Sequence, residues 1–128
     1  MIKAVTQLTE ECQQWRFTLR HLREQYLHHL KKLEKRVQEN SLRQSMWEVA
    51  HLYNQFYIQL INIHDLKKAI KRHADNITKQ SMIGVLRDDT VALHCFLNND
   101  FDLLSRRLKS ISDEFKVFQK KYPPTIYA

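Results

Sequence analysis

Glycine occurs once in the 128 residues and proline twice, side by side near the C-terminus. Tight turns rely on these residues at defined positions, so a chain this poor in both has few turns and is expected to be nearly all helix. No apolar run approaches the ~20 residues that cross a bilayer. The opening Met1-Ile2-Lys3-Ala4-Val5-Thr6-Gln7 lacks the apolar core of a signal peptide, so a cytoplasmic location is expected. There are two cysteines, too few for a disulfide framework. There is no glycine-rich phosphate loop, no nucleophile elbow and no Cys-x-x-Cys pair. Carboxylates are scarce at the positions expected to face inward. These absences argue against an enzyme, and no cofactor is expected.

What the chain does have is a heptad seam. Leu8, Cys12, Trp15, Leu19, Leu22, Tyr26, His29 and Leu33 alternate steps of four and three. So do Leu42, Met46, Val49, Tyr53, Phe56, Leu60 and Ile63, continued by Ile70, Ala74 and Ile77, and so do Leu104, Leu108, Ile111, Phe115, Phe118 and Tyr122. A 3.5-residue repeat puts an apolar stripe on each helix and makes helices wrap round one another. The spacing predicts helices over about 3–39, 41–78 and 83–122. Asn40-Ser41 breaks the first from the second, and Ser41 with Gln44 matches a capping box. The link Thr78-Lys79-Gln80-Ser81-Met82-Ile83-Gly84 holds the only glycine, with Ser81 as a candidate cap. Tyr122-Pro123-Pro124 stops the third helix, because proline has no N–H to donate. In that helix the row from Leu93 to Leu97 to Phe101 steps by fours, a stutter. Arg87-Asp88-Asp89-Thr90 is a candidate cap after a loop and Asn98-Asn99-Asp100 a candidate break, but one continuous helix is the preferred reading.

A helix of ~37 residues is ~55 Å long. Three such rods joined by short links run up, down and up. The expectation is an all-α, elongated antiparallel three-helix bundle or coiled coil, forming one domain over 1–122 with a tail over 123–128. Cys12 lies on the first seam, where a small hydrophobe fits, and Cys95 projects away from the third. No disulfide between them is expected.

Apolar residues also lie off the strict seam: Phe17, Leu27, Trp47, Leu52, Tyr57, Ile58 and Ile61. A helix apolar over a wide arc needs more than two neighbours. Either the three helices close on a broad core or a second subunit covers the excess. Trp47, Tyr57 and Ile58 are the candidate interface, to a second copy of the chain or to another helical protein.

Seven histidines raise metal ligation as a possibility. Glu48 and His51 have the Glu-x-x-His spacing of di-iron bundles, but that site needs the motif twice, and His51 falls opposite the seam. His29, on a seam, reads as a buried hydrogen-bonded histidine, and Glu24 with His28 as a surface pair. No metal site is expected. Arginine followed, after four to six intervening residues, by histidine, as in Arg87-Asp88 with His94, Arg16 with His21 and Arg23 with His28 or His29, resembles the motif of the HEPN ribonucleases. That resemblance implies a dimer in which paired histidines act as acid and base on a phosphodiester. It requires Arg87 and His94 side by side on an exposed surface.

The net charge of +7 raises nucleic acid as a partner. Lys31, Lys32, Lys35 and Arg36 are the candidate contacts, close to Arg43 and to Lys116, Lys120 and Lys121 of the third helix. Lys67, Lys68, Lys71 and Arg72 form a second group near Arg16 and Arg20. Acids such as Glu34, Glu39, Glu48, Asp113 and Glu114 dilute the first cluster, so an ordinary solvated face accounts for it as well.

The patterns Gln14-Trp15-Arg16-x-x-Leu19-x-x-Leu22, Tyr53-Asn54-Gln55-Phe56 and Ile63-His64-Asp65-Leu66 resemble a group of short coiled-coil proteins of Bacteroidetes. The resemblance covers about a third of the chain. It implies a bacterial cytosolic protein and carries over no functional residues. The reading that follows is a non-enzymatic helical interaction or scaffolding protein that associates with itself. Sequence-independent nucleic-acid binding and a HEPN-like ribonuclease are the alternatives.

Overall fold

A computed structural model describes residues 2–38 and 45–123. They form three helices, α1 (Ile2–Gln38), α2 (Met46–Met82) and α3 (Asp88–Lys121). The expected all-α three-helix bundle is the observed one. Cross-helix contacts give its sense. Glu11 meets His94, Tyr26 meets Leu108 and His29 meets Ser112, separations of 83, 82 and 83 residues, so α1 and α3 run parallel. Phe56 packs on Phe115 and Glu48 pairs with Lys121, so α2 runs the other way. Among the described residues, no helix is long and apolar enough to cross a membrane.

The first two seams close as their spacing requires. Cys12, Trp15, Leu19, Tyr26 and Leu33 of α1 and Val49, Phe56, Ile63, Ile70 and Ile77 of α2 are all buried. α2 adds a second buried row, Leu52, Gln59, Leu66 and His73, one helical shoulder round. That row explains much of its wide apolar arc, because α2 packs on α1 and α3 at once.

α3 departs from its expected seam at its start. Leu93 is exposed, while Thr90 and His94 are buried. Thr90, His94, Leu97, Phe101, Leu104, Leu108, Ile111, Phe115 and Phe118 alternate steps of four and three throughout. There is no stutter, and the helix runs unbroken through Asn98-Asn99-Asp100. Two polar residues hold seam positions that an apolar count passes over. They can do so because their polar atoms are bonded: Thr90 Oγ1 accepts from Gln80 Nε2 at 2.8 Å, and His94 has partners on both ring nitrogens.

The α2–α3 connection lies further along than expected, over 83–87 rather than 79–82. α2 continues through Thr78-Lys79-Gln80-Ser81, none of which breaks a helix, so Ser81 does not cap α3. The Gly84 N–H donates to the Ser81 carbonyl and the Val85 N–H to the Gln80 carbonyl. With Gly84 at φ +77°, this is a Schellman ending, which needs a residue free of the left-handed penalty. Gln80 then reaches across the turn, its Oε1 accepting from the Arg87 N–H at 2.9 Å. Asp88 and Asp89 occupy the first turn of α3, where negative charge suits the helix dipole. The expected break at Asn40-Ser41, the Ser41–Gln44 box, Arg43 and the end of the tail lie outside the described residues.

Candidate functional site

Three features could carry function: an outer groove, a basic face and a buried polar cluster. The groove lies between α2 and α3 on the side away from α1. At one end Trp47, Glu48 and His51 of α2 face Glu114, Val117 and Lys121 of α3 across a hollow. At the other, Asp65, Leu66 and Ala69 face Asp100, Leu103 and Arg107. Trp47 is 88% exposed, Val117 64% and Leu103 59%. The hollow's rim is tied by Lys121 Nζ, which donates to Glu48 Oε1 at 2.9 Å. That contact holds the Glu48 carboxyl below the usual carboxylate range.

Trp47, Tyr57 and Ile58 are all exposed, but they do not share one face. Heptad position puts Ile58 on the α3 side of α2 and Tyr57 on the α1 side, where its ring stacks on Tyr53 at 6.4 Å. Leu52, also off the strict seam, is core.

The basic residues divide similarly. Lys31, Lys32 and Lys35 are exposed. Arg36 is not an available contact: it is buried, and its Nη2 donates to the Tyr122 carbonyl, tying the end of α1 to the end of α3. The second cluster is denser. Burial, then the nearby Arg20, Arg23 and Arg16, depresses the pKa of the Lys67 ammonium. Four cations therefore crowd the α1–α2 face.

His29 is buried with Tyr26, Phe56 and Phe115 around its ring, and its Nε2 lies 3.2 Å from Ser112 Oγ. Burial, with Lys32, His28 and Lys116 nearby, pushes its pKa down to about 4. His51 is on the surface beside Glu114 at 3.7 Å, and Glu48 is engaged with Lys121. The single Glu-x-x-His therefore builds no di-iron half-site. Arg87 and His94 do not share an exposed surface either. Arg87 pairs with Asp89 in solvent, whereas His94 turns inward.

His94 belongs instead to a constellation that spacing along the chain did not reveal. Cys12 of α1, His73 of α2 and His94 of α3 place one ligand atom each within 4.8 Å of one another. All three are buried, at 1%, 1% and 5% exposure. His73 Nε2 lies 2.9 Å from His94 Nδ1, and His94 Nε2 lies 2.9 Å from Glu11 Oε2. Trp15 covers the His94 ring at 4.6 Å. The Glu11 carboxyl is held below its ordinary range, first by the hydrogen bond from His94. As an ionised acceptor it fixes the proton of His94 on Nε2 and leaves a lone pair on Nδ1. Burial pushes the Cys12 thiol up to about 11 and lowers the pKa of His73. His73 Nδ1 is buried without a hydrogen-bond partner. The signal in the sequence was faint: polar side chains at seam positions of different helices. Matching them needs the heights of three helices at once. Cys95 is exposed and both thiols are free.

Comparison of the chain with known protein families, curated proteins and solved structures gave no match.

Proposed function

We propose that the chain is a non-enzymatic helical interaction protein whose partner is a second copy of itself, docked on the outer α2–α3 groove. The observation that carries this reading is a bare Trp47 facing Val117 across one hollow, with exposed Leu103 on a second hollow between the same two helices; heptad position sets exposed Ile58 on the α2 shoulder between the two. Such residues are the usual anchors of an interface. Charge supports a second copy as the occupant. The groove carries Glu48, Asp65, Asp100 and Glu114 beside Arg107 and Lys121. Lys121 is already engaged with Glu48, so it is Arg107 of one copy that can meet Asp65 or Asp100 of the other, although each chain carries +7 overall. Tyr57 lies outside this contact. The reading places the protein in the cytoplasm, which the free thiols support.

Light scattering coupled to gel filtration tests the proposal. The expected mass is twice 15.5 kDa, falling to the single-chain value in Trp47→Glu and in Ile58→Glu with helical content unchanged. A monomer at all accessible concentrations removes it.

A second reading has one observation in its favour, the crowding of Arg16, Arg20 and Arg23 round Lys67. A polyphosphate backbone would relieve that repulsion and release counterions. It predicts heparin retention at low salt that weakens when Arg20, Arg23 and Lys67 are neutralised. Lys31, Lys32 and Lys35 form the second set to neutralise. No retention at low salt overturns it.

A further inference from the structure

We propose that Cys12, His73 and His94 form a binding site for a borderline-soft divalent transition metal of the zinc class, with Glu11 orienting His94 from outside. The donor set comes first. One thiol sulfur and two imidazole nitrogens select zinc-like ions over magnesium or calcium, which prefer oxygen. The three ligands come from three helices and converge within 4.8 Å in the bundle interior. A tetrahedral ion with bonds of about 2.0–2.1 Å to nitrogen and 2.3 Å to sulfur spaces such ligands roughly 3.3–3.6 Å apart. The present His73–His94 separation of 2.9 Å needs to open by only a few tenths of an ångström.

The second observation is independent of the first. Metal-bound histidines commonly donate their other N–H to a carboxylate, which fixes the tautomer. His94 Nε2 is set on Glu11 Oε2 at 2.9 Å, so its Nδ1 faces the other ligands as a bare lone pair. His73 presents its own lone pair there in the tautomer protonated on Nδ1. A plain hydrogen-bonded chain from Glu11 through His94 to His73 accounts for the geometry less fully. It gives the adjoining buried thiol no role, whereas His73 Nδ1 is buried without a partner under either arrangement. Three protein ligands leave the fourth tetrahedral position to a water or another small ligand. Because each helix supplies one ligand, the ion would bind the assembled bundle and tie its three rods together at one level.

Cobalt(II) added to the reduced, metal-free full chain tests this. The expected result is one equivalent bound, with intense visible bands of tetrahedral cobalt and a near-ultraviolet thiolate-to-cobalt charge-transfer band. Zinc should bleach both by displacement and raise the thermal midpoint, and a chelator should reverse the rise. Cys12→Ser should abolish the charge-transfer band, whereas Cys95→Ser should leave it intact. Glu11→Gln should keep the band and weaken binding about 10–100-fold. The wild-type titration decides the matter even if a variant loses its helical circular dichroism. Absence of binding, pale octahedral spectra, binding without the thiolate band, or a band that depends on Cys95 would each overturn the proposal. Surface histidines such as His21, His28 and His64 would produce the second and third of these outcomes. The solution mass of the protein is not involved, so this site and the self-association reading stand or fall separately.

Discussion

At the scale of single residues, the buried histidines set the pH response. The pKa of His29 is about 4 in the fold, against an ordinary value near 6.5. Between those values the unfolded chain takes up a proton that the folded chain does not. Stability should therefore fall as pH drops from 6.5 towards 4 and level off below, by at most about 3 kcal/mol from this residue. His73, also lowered by burial, acts in the same direction. Urea unfolding at a series of pH values measures the slope, and His29→Leu should flatten it. The core aromatics give a larger effect. Phe56 is fully buried against Tyr26, His29 and Phe115, and Phe56→Ala should cost about 3–5 kcal/mol through lost transfer energy and the cavity left behind. Arg36 shows how a residue's chemistry can mislead. It sits in a run of basic residues, yet the level of the α3 terminus turns it inward onto Tyr122.

At the scale of elements, the two ends of the α2–α3 turn differ in what holds them. Gly84 has open space round the position of a Cβ, so the penalty for a side chain there is conformational. Gly84→Ala should lower stability by about 1–2 kcal/mol and Gly84→Asn by less, because asparagine tolerates the left-handed region. The denaturation midpoint should move at unchanged slope. Along α3, the corrected seam makes a sharp contrast. Leu93→Ser, at an exposed site, should stay within about 0.5 kcal/mol of wild type, whereas Leu97→Ala should cost about 2–5 kcal/mol. The reverse order would restore the seam through Leu93. Helix existence was legible because the 3–4 alternation runs for many turns. The start of α3 was not, because its seam there is threonine and histidine. Polar residues on a seam look like interruptions until their partners on other helices are in place.

At the scale of the whole molecule, net charge separates the two partner readings. Binding of a polyanion through Arg20, Arg23 and Lys67 weakens steeply as salt rises. Pairing of two +7 chains through the Trp47–Val117 groove should hold or tighten, because salt screens their mutual repulsion while the apolar contact persists. Across one salt series heparin retention should therefore fall while the scattering mass holds or rises. Of the three expected interface residues, Trp47 lines a hollow of the groove and Ile58 lies on the same α2 shoulder by heptad position. Tyr57 does not, since a one-residue step along α2 turns a side chain by about 100° and carries it to the other shoulder.

The sequence by itself determined that the chain forms long helices, how many there are, their up-down-up order and most of the buried rows. Those follow from local spacing and from the near absence of turn residues. Only the tertiary structure decided that Cys12, His73, His94 and Glu11 meet, that Arg36 is buried, and that α2 and α3 leave an open groove between them. Each of those facts depends on the relative height and rotation of separate helices. No spacing within a single helix encodes them.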